Sequence, residues 1–341
     1  MLAHEEVHVV RGGRSGLPIV VAVHSTTLGP AVGGCRIWTY PDWRDGLEDA
    51  LRLSAGMTAK CALAGLANGG GKCVVALPPG LRLDPDRRRA VLLDVGDAVA
   101  ARDGRYATGP DVGTGPADMT VIAERTTGVF CRPTADGGSG DSSPHTATGV
   151  LAALQATCDY LDGSPELGRR TFAVVGLGHV GADVARRLAA TGARLVVSDI
   201  DPDARQLADR IGATWAAPEE ALTAEVDIVV PAALGGVLTT ALAARLRCRA
   251  VVGPANNQLA TPEVADLLRA RGVLWAPDYV ASAGGIVHAI AAELYREPPA
   301  TVAARIDQIG ATLGELYRAA AATDQTPAVA AERLIAARLK G

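Results

Sequence analysis

Three lysines stand against thirty arginines in this chain of 341 residues. Two of them, Lys60 and Lys72, lie twelve positions apart in Gly56-Met-Thr-Ala-Lys60-Cys-Ala-Leu-Ala-Gly65-Leu-Ala-Asn-Gly69-Gly-Gly-Lys72, a stretch with no other charge. Arginine is a fixed fork that stays charged, whereas a desolvated lysine can have its pKa lowered far enough to act as a base near neutral pH. The pair therefore reads as acid-base chemistry in a partly buried setting rather than as two surface amines. A second signature is Gly176-Leu-Gly178-His179-Val180-Gly181, which follows a strand expected over 171–175. A helix from about 182 to 190 and a strand over 194–197 lead from it to Asp199, twenty-three residues beyond Gly176. Glycines at these places allow a tight turn and let a pyrophosphate approach a helix N-terminus, while the acid accepts hydrogen bonds from an adenosine ribose. Asp199 should also repel a 2'-phosphate, so the cofactor expected is NAD rather than NADP.

The elements that must carry these residues follow from pattern. A short apolar strand is expected at 19–23, then a turn-rich connection at 29–34 and a strand at 35–40. Asp45 and Glu48 have capping-box spacing and open a helix with Leu47, Leu51, Ser54 and Thr58 at helical intervals, delivering Lys60 near its end. Gly69-Gly-Gly71 reads as a break, after which Lys72 begins a strand that ends at Pro78-Pro79. Residues 87–101 read as a helix, and 106–115 as a loop centred on Asp111. The Thr, Gly and Ser-rich run at 134–143 is the expected flexible connection between domains. Beyond the glycine turn, strands at 227–230, 250–252 and 273–275 each end in a loop of small residues, and such carboxyl-end loops should rim the nicotinamide. The expected fold class is α/β with two domains separated by a cleft: 1–135 carrying the lysines, and a Rossmann-type NAD domain at 145–320. A C-terminal helix within 321–341 should return toward the first domain.

Bulk properties narrow the function classes. A formal net charge of -4 with dispersed basic residues gives no support for nucleic-acid or membrane-surface binding. Six cysteines without a CxxC motif read as reduced cytoplasmic thiols, and the histidines lack metal-ligand spacing, so no metal is expected. Apolar runs are strand-sized or interrupted by arginine, which predicts no transmembrane span.

Several spaced motifs occur in one order from about residue 19 onward: Leu28-Gly-Pro-Ala-Val-Gly-Gly34, Gly65-Leu66 with Gly69-Gly-Gly-Lys72, Thr108-Gly-Pro-Asp-Val112, Gly176-Leu-Gly178, Ala255-Asn-Asn-Gln-Leu259 and Ala276-Pro-Asp-Tyr-Val280. On these the chain resembles the glutamate, leucine, phenylalanine and valine dehydrogenase superfamily, most closely its leucine/valine/phenylalanine branch. The resemblance implies that Lys60 binds the substrate carboxylate, aided by Asn257 and a Gly33-Gly34 turn. Lys72 would activate water for attack on the imino acid left by hydride transfer, and Asp111 would contact the substrate amino group and shuttle protons. Thr146, Ala232, Ala255 and Asn256 would lie near the nicotinamide and its ribose. An N-terminal domain that builds at least a dimer is also implied.

The side-chain pocket of such an enzyme would involve Val32, Gly109, Ile286 and Ala289. Gly109, Ala289 and Val32 are smaller than the residues common in leucine enzymes, and Ile286 acts in the other direction, so the pocket should be somewhat roomier. None is charged, which argues against glutamate. Ser282 also departs from the family, standing where asparagine is usual. The expected reaction is NAD-dependent reversible deamination of a neutral L-amino acid to the 2-oxo acid and ammonia, with leucine, valine or isoleucine favoured. The alternatives are phenylalanine or tryptophan as substrate and a silent NAD-binding paralogue.

Overall fold

The computed structural model describes residues 3–340. Two compact units divide the chain, one of Met1–Asp141, Ala289–Pro298 and Ile335–Gly341, the other of Ser142–His288 and Pro299–Leu334. The range 145–320 expected for the second domain thus contains a segment, Ala289–Pro298, that belongs to the first.

In the first unit, strands β1 (Glu6–Arg11), β2 (Pro18–Ser25), β3 (Ala31–Thr39), β4 (Gly69–Leu77) and β5 (Tyr106–Pro110) form one sheet in the order β1-β2-β4-β3-β5. The β1, β2 and β4 pairings are antiparallel, and β3 is parallel to both β4 and β5. Alternation along the strands sends successive side chains to opposite faces. Val20, Ala22 and Val74 pack with Ala50 of helix α1 (Trp43–Leu63) on one face. On the other, Ile19, Val21, Ile37 and Val75 pack with residues of helices α2 (Pro85–Ala100) and α3 (Pro116–Ala123), including Val91, Val95, Met119 and Ile122.

Five local expectations are corrected. The N-cap of α1 is Asp42, whose carboxylate accepts from Arg44 N, and Asp45 completes the box from inside the helix, so the cap lies three residues earlier. Residues 31–34 are strand rather than turn, and Lys72 sits inside β4 rather than at its start. The glycines are where strands crowd: a Cβ at Gly33 would lie 1.8 Å from Gly71 O, and one at Gly69 1.8 Å from Ser25 O. Glycine in a strand can mark such close backbone approach as well as a break. Residues 106–110 are likewise strand, with Asp111 just beyond it. The segment at 134–143 is anchored, since Ser139 donates from both N and Oγ to Glu293, each at 2.9 Å.

In the second unit, helix α4 (Ser143–Asp162) precedes six parallel strands: β6 (Thr171–Val175), β7 (Arg194–Ser198), β8 (Thr214–Trp215), β9 (Ile228–Pro231), β10 (Ala250–Val251) and β11 (Leu274–Trp275). Their order is β11-β10-β9-β6-β7-β8, so the winding reverses between β6 and β9, the place where open α/β sheets bind ligands. Central strands are buried and apolar, as a sheet covered on both faces requires. Helix α5 (His179–Ala190) starts after only three residues, Gly176 to Gly178, beyond the end of β6 at Val175.

All six cysteines are free and buried. Burial pushes the Cys61 thiol up to about 12 and those of Cys131 and Cys248 to about 11. The last helix, Pro327–Arg338, ends with Arg338 Nη1 donating to Ala62 O at 2.5 Å and Leu63 O at 3.0 Å. It thereby satisfies carbonyls that the end of α1 leaves without helical partners. Among the described residues no helix is long and apolar enough to cross a membrane.

Candidate active site

Lys72 projects from β4 with only 5 % of its surface exposed, and its Nζ lies 2.7 Å from Asp111 Oδ2. Gly34 makes that approach possible. A Cβ at 34 would stand 2.6 Å from Asp111 Cβ and 3.3 Å from Lys72 Nζ. Asp111 is fixed in a turn: its N–H donates to Thr114 Oγ1 at 3.0 Å, and that hydroxyl donates to Cys35 O at 2.8 Å. Burial alone would push the Asp111 carboxyl up, but the charges of Lys72 and Arg36 outweigh it and hold the group at about 2. Asp111 is therefore an ionised acceptor at neutral pH.

Helix α1 lies against the same face of β4 from which Lys72 projects, because a Cβ at Gly70 would meet Thr58 N at 2.0 Å. The last turn of α1, carrying Lys60, is thus directed to that face, and a cation there also complements the helix dipole. Gly33 is not free as a turn would be, since its carbonyl accepts from Tyr106 Oη at 3.2 Å. Gly109 pairs with Gly34 across β3 and β5. The room expected there is occupied: a Cβ at 109 would fall 2.2 Å from Cε2 of Phe130, whose ring is itself buried. Gly109 thus makes space for Phe130. Val32 and Ala289 are buried within the first unit, and Ile286 is half-buried in the second.

The glycine turn of the second unit fits a dinucleotide. Gly176 has φ 103°, and a Cβ there would meet Ala233 N at 2.7 Å. A Cβ on Gly181 would meet Gly176 O at 1.9 Å and Ala232 Cβ at 2.9 Å, which lets the helix pack on the strand. Gly178 alone opens onto free space, at the N-cap of α5, where no side chain caps the helix. Amides left in this way suit a pyrophosphate. His179 is exposed and Val180 half-buried in the first turn. Asp199 follows β7 and accepts from Leu177 N at 2.5 Å and Asp201 N at 2.9 Å, so its carboxylate is aimed by the turn it faces.

Around the other loops, Asn257 has φ 53° and donates its N–H to Asp278 Oδ2 at 2.7 Å. Asn256 and Asn257 are exposed and Ala255 is buried. Ser282 Oγ reaches Asn256 Oδ1 at 3.5 Å. Thr146 Oγ1 donates to Ser142 O at 3.1 Å, and a Cβ on Gly285 would crowd it at 2.5 Å. Among the described residues no group of three or more His, Cys, Asp or Glu could hold a metal ion.

Sequence reasoning missed Arg36 and Phe130, and also the exposed Ile200 and Leu234, which present apolar surface beyond the carboxyl ends of β7 and β9. For Arg36 the signal was strand alternation, which puts Val32, Gly34 and Arg36 on one face once β3 starts at Ala31.

A dinucleotide-binding sheet and a separate α/β unit bearing a buried lysine-aspartate pair define a two-domain oxidoreductase. The Glu/Leu/Phe/Val dehydrogenase dimerisation-domain model matches residues 4–128, and the Glutamate/Leucine/Phenylalanine/Valine dehydrogenase model matches 198–297. The NAD-binding domain model of D-isomer specific 2-hydroxyacid dehydrogenases matches 157–237. The chain is 39 % identical to a phenylalanine dehydrogenase of Lysinibacillus sphaericus over 99 % of its own length and 89 % of the relative's. It is equally 39 % identical to a valine dehydrogenase of Streptomyces albus, covering 98 % and 92 %. The crystal structure of L-tryptophan dehydrogenase from Nostoc punctiforme superposes with a TM-score of 0.85 at 33 % identity, covering 99 % of this chain and 96 % of that one. The chain belongs to the Glu/Leu/Phe/Val dehydrogenase family, in its leucine/valine/phenylalanine branch.

Proposed function

We propose that the protein is an NAD-dependent L-amino acid dehydrogenase that deaminates leucine, valine or isoleucine reversibly to the 2-oxo acid and ammonia. The observation that carries this reading is the Lys72–Asp111 pair at 2.7 Å, in a chain that also holds an open glycine turn with an acid behind it. In the first unit Lys60 is assigned to the substrate carboxylate and Asp111 to its amino group; in the second unit Asn257 is assigned to the carboxylate. The glycine turn with Asp199 would hold NAD⁺, which when bound would supply the acceptor for the α-hydride. Lys72 then draws a proton from the water that attacks the resulting iminium carbon, and Asp111 carries protons until ammonia leaves. In the first unit Val32 and Ala289 are assigned to the substrate side chain, with Phe130 as the ring over Gly109; in the second unit Ile286 is assigned to it. That ring supports a branched aliphatic substrate, because it occupies the space that a missing side chain at 109 would otherwise open.

Thr146, Ala232, Ala255 and Asn256 are assigned to the nicotinamide half of the cofactor site, and the glycine turn with Asp199 to the adenosine half. A homo-oligomer, at least a dimer built through the first unit and working in the cytoplasm, completes the reading. Edge strand β1, with Val9 and Val10 exposed and no second neighbour, supports the choice of face.

A panel of neutral L-amino acids with NAD⁺, followed by NADH absorbance, tests the substrate. Turnover of phenylalanine or tryptophan well above that of the branched-chain amino acids would replace the aliphatic reading. Phe130→Leu should shift the panel toward the aromatic substrates; an unchanged ranking would take Phe130 out of the pocket. For the cofactor, NAD⁺ should be strongly preferred over NADP⁺. Asp199→Ser should lower kcat/KM for NAD⁺ by about 10- to 100-fold, the worth of a hydrogen bond to a charged group, and narrow the preference. Equal efficiency of the unaltered protein with both cofactors would refute the role of Asp199.

A further inference from the structure

One carboxylate oxygen in the first unit serves two cations. Asp111 Oδ2 accepts from Lys72 Nζ at 2.7 Å and from Arg36 Nε at 2.9 Å. Arg36 is itself clamped from behind. Its Nη1 donates to Asp49 Oδ2 at 2.7 Å, and Asp49 also accepts from Tyr40 Oη at 2.7 Å and, through Oδ1, from Arg52 Nη2 at 2.6 Å. Both Arg36 and Asp49 are largely buried. The guanidinium is therefore held as a rigid fork between two carboxylates.

This arrangement matters at one moment of the proposed cycle. If Lys72 passes through a neutral state, Asp111 loses its nearest positive charge while still largely buried, and an unpaired buried carboxylate is costly enough to take up a proton or turn away. Arginine does not titrate in this range and keeps its charge throughout. Resting on the dehydrogenase reading, we propose that Arg36 is the positioning residue of the site. It keeps the Asp111 carboxylate in place and ionised whether or not Lys72 carries its proton, and leaves Oδ1 for the substrate's amino group. The other titratable groups here are the Asp49 carboxyl, which burial raises but Tyr40, Arg52 and Arg36 hold low, the Cys35 thiol, pushed up by its hydrogen bond with Cys73 and by burial, and the Tyr106 phenol, pushed up by burial. The thiol and the phenol gain no charge below neutral pH, and a carboxyl signal that disappears in Asp111→Asn reports Asp111 rather than Asp49.

The test uses Arg36→Met and Arg36→Lys. Each is followed by kcat and kcat/KM against pH and by carboxyl ¹³C NMR, with Asp111→Asn assigning the signal. In the unaltered protein the Asp111 signal should be flat from pH 4 to 7. In Arg36→Met it should enter that window from its acid end, moved up from about 2 by roughly two pH units or more, within the range for loss of an adjacent opposite charge. The acid limb of kcat/KM should move with it, and kcat should fall at least about tenfold, with NAD⁺ binding retained. Arg36→Lys keeps a charge but cannot grip both carboxylates, so it should fall between the two and serves if the methionine variant does not fold. A flat signal and an unmoved acid limb in a folded Arg36 variant would overturn the proposal. A shifted Asp111 signal in a protein inactive on every amino acid would sink the dehydrogenase reading and leave the hold of Arg36 on Asp111 standing.

Discussion

Lys72→Ala should lower kcat by about 10²- to 10⁴-fold, the range for lost general acid-base catalysis, while NAD⁺ binding survives. The amine is buried, sits 2.7 Å from Asp111 and belongs to a different unit from the glycine turn, so on the proposed reading its removal takes away the proton carrier and leaves the residues of the glycine turn unchanged. Lys60→Ala should fail differently. If Lys60 holds the substrate carboxylate, that charge-assisted contact precedes the chemistry, so its loss should raise KM first, with a smaller effect on kcat through substrate orientation. Steady-state rates on both variants, paired with direct measurement of NAD⁺ binding, separate the two roles. Near-normal turnover by folded Lys72→Ala would remove that residue from catalysis and reopen the reading of the chain as a silent NAD-binding paralogue.

The second large effect concerns stability. Gly33→Ala should destabilise the protein by about 3 kcal/mol or more, at the upper end of overpacking, because the new methyl group would stand 1.8 Å from Gly71 O. No side chain can swing away to relieve the contact; β3 and β4 would have to separate. Gly178→Ala offers the control. Its added carbon meets nothing within 4 Å, so thermal stability should stay within about 0.5 kcal/mol of the unaltered protein while NAD⁺ affinity falls. Thermal melts of the two variants check the contrast, and a Gly33→Ala protein as stable as the parent would contradict the strand packing described for β3 and β4.

The second unit was the more legible in sequence. Its strands are short continuous apolar runs ended by glycine and proline, and Thr171–Val175 begins and ends where pattern puts it. The first unit misled where one residue type serves two purposes. Gly33, Gly34 and Gly69 to Gly71 look like breaks by local propensity, yet they lie within strands because neighbouring backbones and the Lys72 amine need their missing side chains. Tertiary contact decided between those readings. The partners of Asp111 were half legible: Lys72 stood out by composition, whereas Arg36 is one of thirty arginines, and only its register on β3 sets it apart. Phe130 carried no signal at all, since its role comes from a vacancy on another strand.

The buried thiols give the protein an internal gauge of its own breathing. Cys35, Cys61, Cys73 and Cys131 belong to the first unit, Cys158 and Cys248 to the second, and all six are buried in the folded chain. Alkylation requires a thiolate that reagent can reach, and burial withholds both. Each cysteine will therefore label only when the structure around it opens, at a rate set by the free energy of that opening. Mass spectrometry of timed labelling, with and without NAD⁺, would read how firmly each unit is held and whether cofactor binding tightens the second unit alone.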